Sequence, residues 1–141
     1  MHTVDQLRWN EKVRGFGGVL ELSPLLKSVQ VLVLGEVAPS GLTAAQQTAC
    51  NAQLGLVAHR CDAILEDVAR RLVKLANDWR DEDSKELTQP ALKKLLAVEA
   101  VHLDVDGDAT VYLADGNAFA GHAIEVFLSP GGVVKDAQLA G

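Results

Sequence analysis

At 141 residues and 15.0 kDa, with 48% hydrophobic and 23% charged residues, the chain fits a single domain, residues 1–141, whose core needs no metal or disulfide staple. That composition excludes the disordered class, no internal repeat or low-complexity tract occurs, and no apolar stretch approaches the roughly 18 residues of a membrane span. A net charge of −6 and a pI near 5.1 disfavour nucleic acid and anionic lipid as partners and favour something basic.

The first third reads as short strands at residues 6–9, 13–16, 19–22 and 28–34, with Gly17-Gly18 as the first turn. In the last of these, Val29, Val31 and Val33 alternate with Gln30, Leu32 and Leu34. Both faces are largely apolar, which predicts a central strand. Residues 35–41 follow as a loop, and Met1–Asp5 lacks a basic region leading into an apolar run, so cytoplasmic residence is the expectation.

Thr43 followed by Gln46 is a capping-box pattern that starts a helix. Gly55 either kinks or breaks it, or lies within one long helix. Beyond it, Val57, Cys61, Ile64, Val68, Leu72, Leu75 and Trp79 recur at helical spacing as one apolar stripe, with Glu66 to Arg70 and Asp67 to Arg71 as i,i+4 pairs on the wet side. Cys50 and Cys61 read as packed thiols, since an unbroken helix would hold them about 16 Å apart, too far for a disulfide.

That helix runs into Asn77-Asp78-Trp79-Arg80-Asp81-Glu82-Asp83. Carboxylates at a helix C-terminus face the negative end of the macrodipole, so helix physics does not explain them and an external partner becomes the alternative. Thr88 then caps a helix of about two turns, with Pro90 in its first turn and Leu87 placed to staple onto Leu92.

The remainder reads as an antiparallel meander of four strands at 98–104, 109–113, 121–128 and 133–139. A turn over Asp104–Gly107 with Gly107 left-handed sets Leu103 against Ala109 and Val101 against Val111, which buries both pairs. Ser129-Pro130-Gly131-Gly132 predicts a type II turn. The fold class is α+β: an antiparallel sheet with this C-terminal meander, one face packed against one long helix or a broken helix pair plus one short helix.

In the strand at 121–128, alternation directs His122 toward the helix-covered side, where pairing with Asp78 or Asp81 would make a general base or half a metal site. A structural imidazole is the simpler reading. Asp104-Val105-Asp106-Gly107-Asp108 imitates the start of a calcium loop, but Ala109 stands where glycine is needed and Asp115 where glutamate is needed. Nucleophile, dinucleotide and P-loop signatures are absent, so the sequence predicts no catalytic residues, no cofactor and no metal.

The residues Leu75-Ala76-Asn77-Asp78-Trp79, Leu87-Thr88, Ala114-Asp115-Gly116, Phe119, Gly121-His122-Ala123-Ile124 and the ending Asp136-Ala137-Gln138-Leu139-Ala140-Gly141 together resemble a bacterial family, domain of unknown function 2262. The resemblance covers about residues 60–141, and residues 1–59 follow only its order of strands then helix. Ala120 and Leu92 stand where that pattern usually has aromatics. The resemblance implies no activity. It implies the company of small, acidic, cofactor-free α+β domains that resemble immunity proteins, which neutralise toxins by occlusion.

Charge supports that direction, because residues 1–75 hold eight Lys/Arg and seven Asp/Glu, while 76–141 hold five and twelve, or +1 and −7. The expectation is a non-enzymatic binding protein, an immunity protein or antitoxin whose acidic second half covers a basic toxin surface. Its contacts would be Asp78, Trp79, Asp81, Glu82, Asp83, Asp104, Asp106 and Asp108. The rivals are a small metal-dependent or hydrolytic enzyme using His122, and an oligomeric structural module.

Overall fold

Thr43 and Gln46 close the predicted box at the start of α1 (Ala44–Trp79): the Thr43 hydroxyl accepts from the Gln46 N–H at 3.1 Å, and Gln46 Oε1 accepts from the Thr43 N–H at 2.9 Å. The computed structural model describes residues 3–140, and within it α1 passes unbroken through Gly55. A β-carbon at Gly55 would meet nothing within 4 Å, so the glycine lowers helix propensity, by about 1 kcal/mol, without bending the helix. At 36 residues α1 is about 54 Å long and spans the molecule.

Of the predicted apolar stripe, Val57, Ile64, Val68 and Leu72 are buried and Cys61 is half-buried, while Leu54 and Ala76, which the stripe does not include, are buried beside them. The core follows four-residue steps from Ile64 to Ala76, which leaves Leu75 and Trp79, expected inside the stripe, on its margin at 38% and 43% exposure. The second helix, α2 (Gln89–Leu95), begins as predicted, with the Thr88 hydroxyl accepting from the Ala91 N–H at 3.2 Å and Leu92 fully buried.

Seven strands lie in sequence order across one sheet: β1 (Arg8–Asn10), β2 (Gly15–Leu20), β3 (Val29–Leu34), β4 (Ala97–Asp104), β5 (Ala109–Ala114), β6 (Ile124–Leu128) and β7 (Val134–Leu139). The fold is α+β, but the sheet is mixed and not wholly antiparallel. The helical crossover returns the chain to the same end of the sheet, so β4 pairs parallel with β3, placing Val31 beside Val101 and Val33 beside Leu103.

Gly17-Gly18 is not a turn. Both glycines lie inside β2 opposite Leu32 and Val31, and the strands expected at 13–16 and 19–22 are one. The reversal falls earlier, where Arg14 takes a positive φ of 51°. Leu32 packs 3.3 Å from where a Gly17 β-carbon would stand, which accounts for a glycine inside a strand.

The β4–β5 register is the predicted one, with Val101 opposite Val111 and Leu103 opposite Ala109. Gly107 (φ 100°) donates to Asp104 O at 2.9 Å, and Asp104 N–H donates to Asp108 O at 2.9 Å. The β6–β7 hairpin repeats this pattern: Gly132 donates to Ser129 O at 2.9 Å and Ser129 N–H to Val133 O at 2.8 Å. There the left-handed residue is Gly132 (φ 79°) and not Gly131, so the turn is a type I turn closed by a glycine bulge, replacing the predicted type II turn.

Inward residues of β3 to β6, among them Val31, Val101, Val111 and Val126, are buried beneath α1. Their alternates Leu32, His102, Tyr112 and Phe127 are only partly buried, so helices cover one face of the sheet. On the free side of β7, Asp136 Oδ1 accepts the Ala137 N–H at 2.9 Å and Arg71 reaches Val134 O at 3.3 Å, which blunts an edge otherwise open to strand addition.

Candidate functional site

The last turn of α1 ends in a closed loop. Asn77 Nδ2 donates to Leu87 O at 3.0 Å while Leu87 N–H donates to Asn77 Oδ1 at 2.7 Å, which ties the helix end to the start of α2. Inside that closure Arg80 Nη1 donates to the carbonyls of Ser84 at 2.7 Å and Asp81 at 3.3 Å, and Ser84 N–H donates to Asp81 O at 2.9 Å. The side chains of Asp78, Asp81, Glu82 and Asp83 are left exposed, and none has an ion-pair partner among the described residues.

Trp79 stands between this loop and another. Its ring meets Phe119 edge-on at 5.9 Å and His122 edge-on at 5.4 Å between centroids. Phe119 is fully buried and anchors the indole from below. Next to Trp79 lies a cavity of about 390 Å³ whose floor includes Ala76, Leu87, Leu95 and Ala118.

The loop carrying Phe119 and His122 is organised by Asp115, which is 5% exposed. Its carboxylate accepts three backbone N–H groups, from Asn117 at 3.0 Å, Phe119 at 2.8 Å and Gly121 at 3.0 Å. Burial alone would raise this carboxyl, but the N–H donors together outweigh it and hold it below the usual carboxylate value. The backbone takes positive φ at Gly116, Asn117, Ala120 and Gly121.

That path moves His122 from its predicted position. Gly121 (φ 86°) leaves the extended region, so β6 begins at Ile124, three residues later than expected, and His122 lies in a turn, donating its N–H to Phe119 O at 3.1 Å. Its side chain is exposed, not directed into the core. It packs on Trp79, and no hydrogen bond to Asp78 or Asp81 is found among the described residues. No group of three or more His, Cys, Asp or Glu among those residues is arranged to hold a metal ion.

The eight predicted contact residues divide into two groups. Asp78, Trp79, Asp81, Glu82 and Asp83 share the C-terminal end of α1. Asp104, Asp106 and Asp108 occupy the β4–β5 turn, where Asp104 Oδ1 accepts the Asp106 N–H at 2.9 Å and Asp104 and Asp106 share a recess with Glu36 and Gln46. Gln46 is in the first turn of α1, so about 50 Å of helix separates the groups.

The thiols offer little nucleophilicity. Burial, and then the charge of Asp104 for Cys50 or Asp62 for Cys61, pushes both above the ordinary thiol value. A polar cluster unforeseen from the sequence lies on the open sheet face, where the His102 ring lies 4.6 Å from that of Tyr112 at a tilt of 54°, the Tyr112 hydroxyl donates to Glu125 at 3.2 Å and Gln138 donates to Glu125 at 3.3 Å. Asn77 and Asp115 were also missed as organisers. Asp115-Gly116-Asn117 is turn chemistry by its residue types and was open to detection.

No helix among the described residues is long and apolar enough to cross a membrane. The model of a family described as uncharacterized protein conserved in bacteria (DUF2262) matches residues 2–139, so the match extends through the first 59 residues as well as the more specific second half. No curated protein and no solved structure matches. The chain belongs to the DUF2262 family.

Proposed function

We propose that this DUF2262 protein is a non-enzymatic binding protein that docks on a basic protein surface through the end of α1, as a cytoplasmic immunity protein or antitoxin does when it covers a toxin. One observation carries the reading: Trp79, Leu75 and Leu95, exposed at 43%, 38% and 38%, lie at the end where Asp78, Asp81, Glu82 and Asp83 outnumber Arg80 and Lys85 and form no ion pair among the described residues. An aromatic anchor within a charged rim is the composition of an interface centre. The rim supplies attraction toward a cationic partner over distance, and the indole supplies desolvated contact area on arrival.

Rigidity supports the same reading. Asn77 and Arg80 order the acidic loop, and Asp115 orders the loop behind Trp79, so little conformational freedom remains to be lost on binding. A standard interface of about 800 Å² per partner is some 30 Å across. The β4–β5 acids are too distant to join it, and the proposal is confined to the α1 end.

The test uses the full chain as bait in extract of its native host at low salt, beside Trp79→Ala and the Asp81→Arg/Asp83→Arg double variant. A basic protein retained by the parent chain and lost by both variants supports the proposal. A bound set that neither variant changes overturns it.

A further inference from the structure

A cavity of about 590 Å³ lies between the middle of α1, the start of β4 and the 23–28 loop, and its nearest α1 residue, Leu65, is about 21 Å along the helix from Trp79. Its apolar lining includes Leu26, Val29, Ala58, Leu65, Leu96 and Val98. On its rim stands Leu25, 94% exposed. This leucine is held on an ordered turn: Leu26 N–H donates to Ser23 O at 3.0 Å, Leu22 N–H donates to Leu26 O at 2.9 Å, and Pro24 fixes the backbone between them.

We infer that this patch is a two-fold interface with a second copy of the chain, the Leu25 turn of each copy entering the groove of the other. An exposed apolar key and an apolar recess on one small patch are what an isologous contact requires, because a two-fold axis satisfies both copies at once. Charge points the same way. Lys27 on the loop has no ion-pair partner among the described residues, and Asp62 on the α1 wall, bound to Lys93 at 2.9 Å, still has its side chain 86% exposed.

Exchange of the loops places Lys27 of one copy toward Asp62 of the other. The groove lining thus carries one charge of each sign, whereas the chain as a whole is −6. A stable pair needs roughly 600 Å² or more from each copy, under a tenth of the 7943 Å² available.

Sedimentation velocity on the full chain tests this, over roughly 1 to 200 µM. The parent chain should move with concentration from 15.0 kDa to twice that mass. Leu25→Asp alters the key without touching the fold, and Ala58→Trp fills the recess without touching the key; each should raise the dimer dissociation constant about tenfold or more. Trp79→Ala should leave self-association unchanged, which separates this interface from the proposed partner site. A parent chain that stays at 15.0 kDa throughout, or a dimer that both variants leave intact, overturns the inference.

Discussion

Asn77 and Leu87 hold each other by both polar groups of one amide, Nδ2 to carbonyl at 3.0 Å and Oδ1 from N–H at 2.7 Å, so one side chain closes the two ends of the 78–86 loop. Asn77→Ala removes the donor and the acceptor together and leaves two partly buried backbone groups seeking water. The expected loss is about 2 kcal/mol, read as a lowered urea midpoint with unchanged slope. An unchanged midpoint would mean that the loop is held by other means.

The acidic loop and Trp79 should act on different rate constants. Rim charges steer encounter, so Asp81→Arg/Asp83→Arg should slow association with a captured basic partner by about tenfold at low salt, the difference shrinking as salt rises. Trp79→Ala removes desolvated contact and should speed dissociation by about tenfold to a hundredfold with little effect on association. Equal effects of both variants on the same constant would contradict this division.

Asp115 ties acid stability to the site. Its folded carboxyl lies below the ordinary value because backbone donors outweigh burial, so folding favours the charged form. The stabilisation is therefore complete above the unfolded value of about 3.9 and is lost as pH falls through the folded one. Asp115→Asn should cost about 2 kcal/mol at pH 7 and show a shallower loss between pH 4.5 and 3 than the parent chain, in urea unfolding at fixed pH values.

What the sequence disclosed follows from the range of the interactions involved. The capping box at Thr43, the cap at Thr88 and the Val101–Val111 register depend on neighbours a few residues apart or on a strict alternation, and each is present. Gly17-Gly18 misled because glycine serves both turns and strands over which a side chain must pass, and the deciding atom belongs to Leu32 in another strand. The parallel β3–β4 pair, the placement of His122 and the division of the carboxylates depend on where a long helix ends in space, which periodicity along it does not specify. Trp79 and the acids beside it were legible as an anomaly against the helix dipole. The three turn acids are expected from charge alone, and in the fold they lie near the opposite end of α1.

His102 gives the open sheet face its own pH response. Burial lowers its imidazole below the usual value, with the charge of Glu125 partly opposing, so the folded chain favours the neutral ring. Stability from this group is complete above the unfolded value of about 6.5 and declines as pH falls through the folded one. Thermal unfolding of the parent chain should therefore weaken between pH 7 and 5, and His102→Gln should weaken less. Parallel curves for the two proteins would assign that slope to another group.

Two residues in the loop behind Trp79 should respond in opposite directions. Gly116 has φ 58°, and a β-carbon there would lie 2.7 Å from Leu95 Cβ and 2.8 Å from Leu95 O, so Gly116→Ala should cost about 3 kcal/mol through strain and displacement of α2. Ala120 already carries its β-carbon at φ 55°, a conformation that costs an L-residue about 1 kcal/mol or more. Ala120→Gly relieves that strain but adds freedom to the unfolded chain, so a net gain of about 0.5 kcal/mol is expected. Opposite signs in paired urea titrations would mean that the Asp115 bonds impose the left-handed path whatever residue occupies it. A loss at both positions would mean instead that the methyl of Ala120 packs productively beside Trp79, where it lines the same cavity.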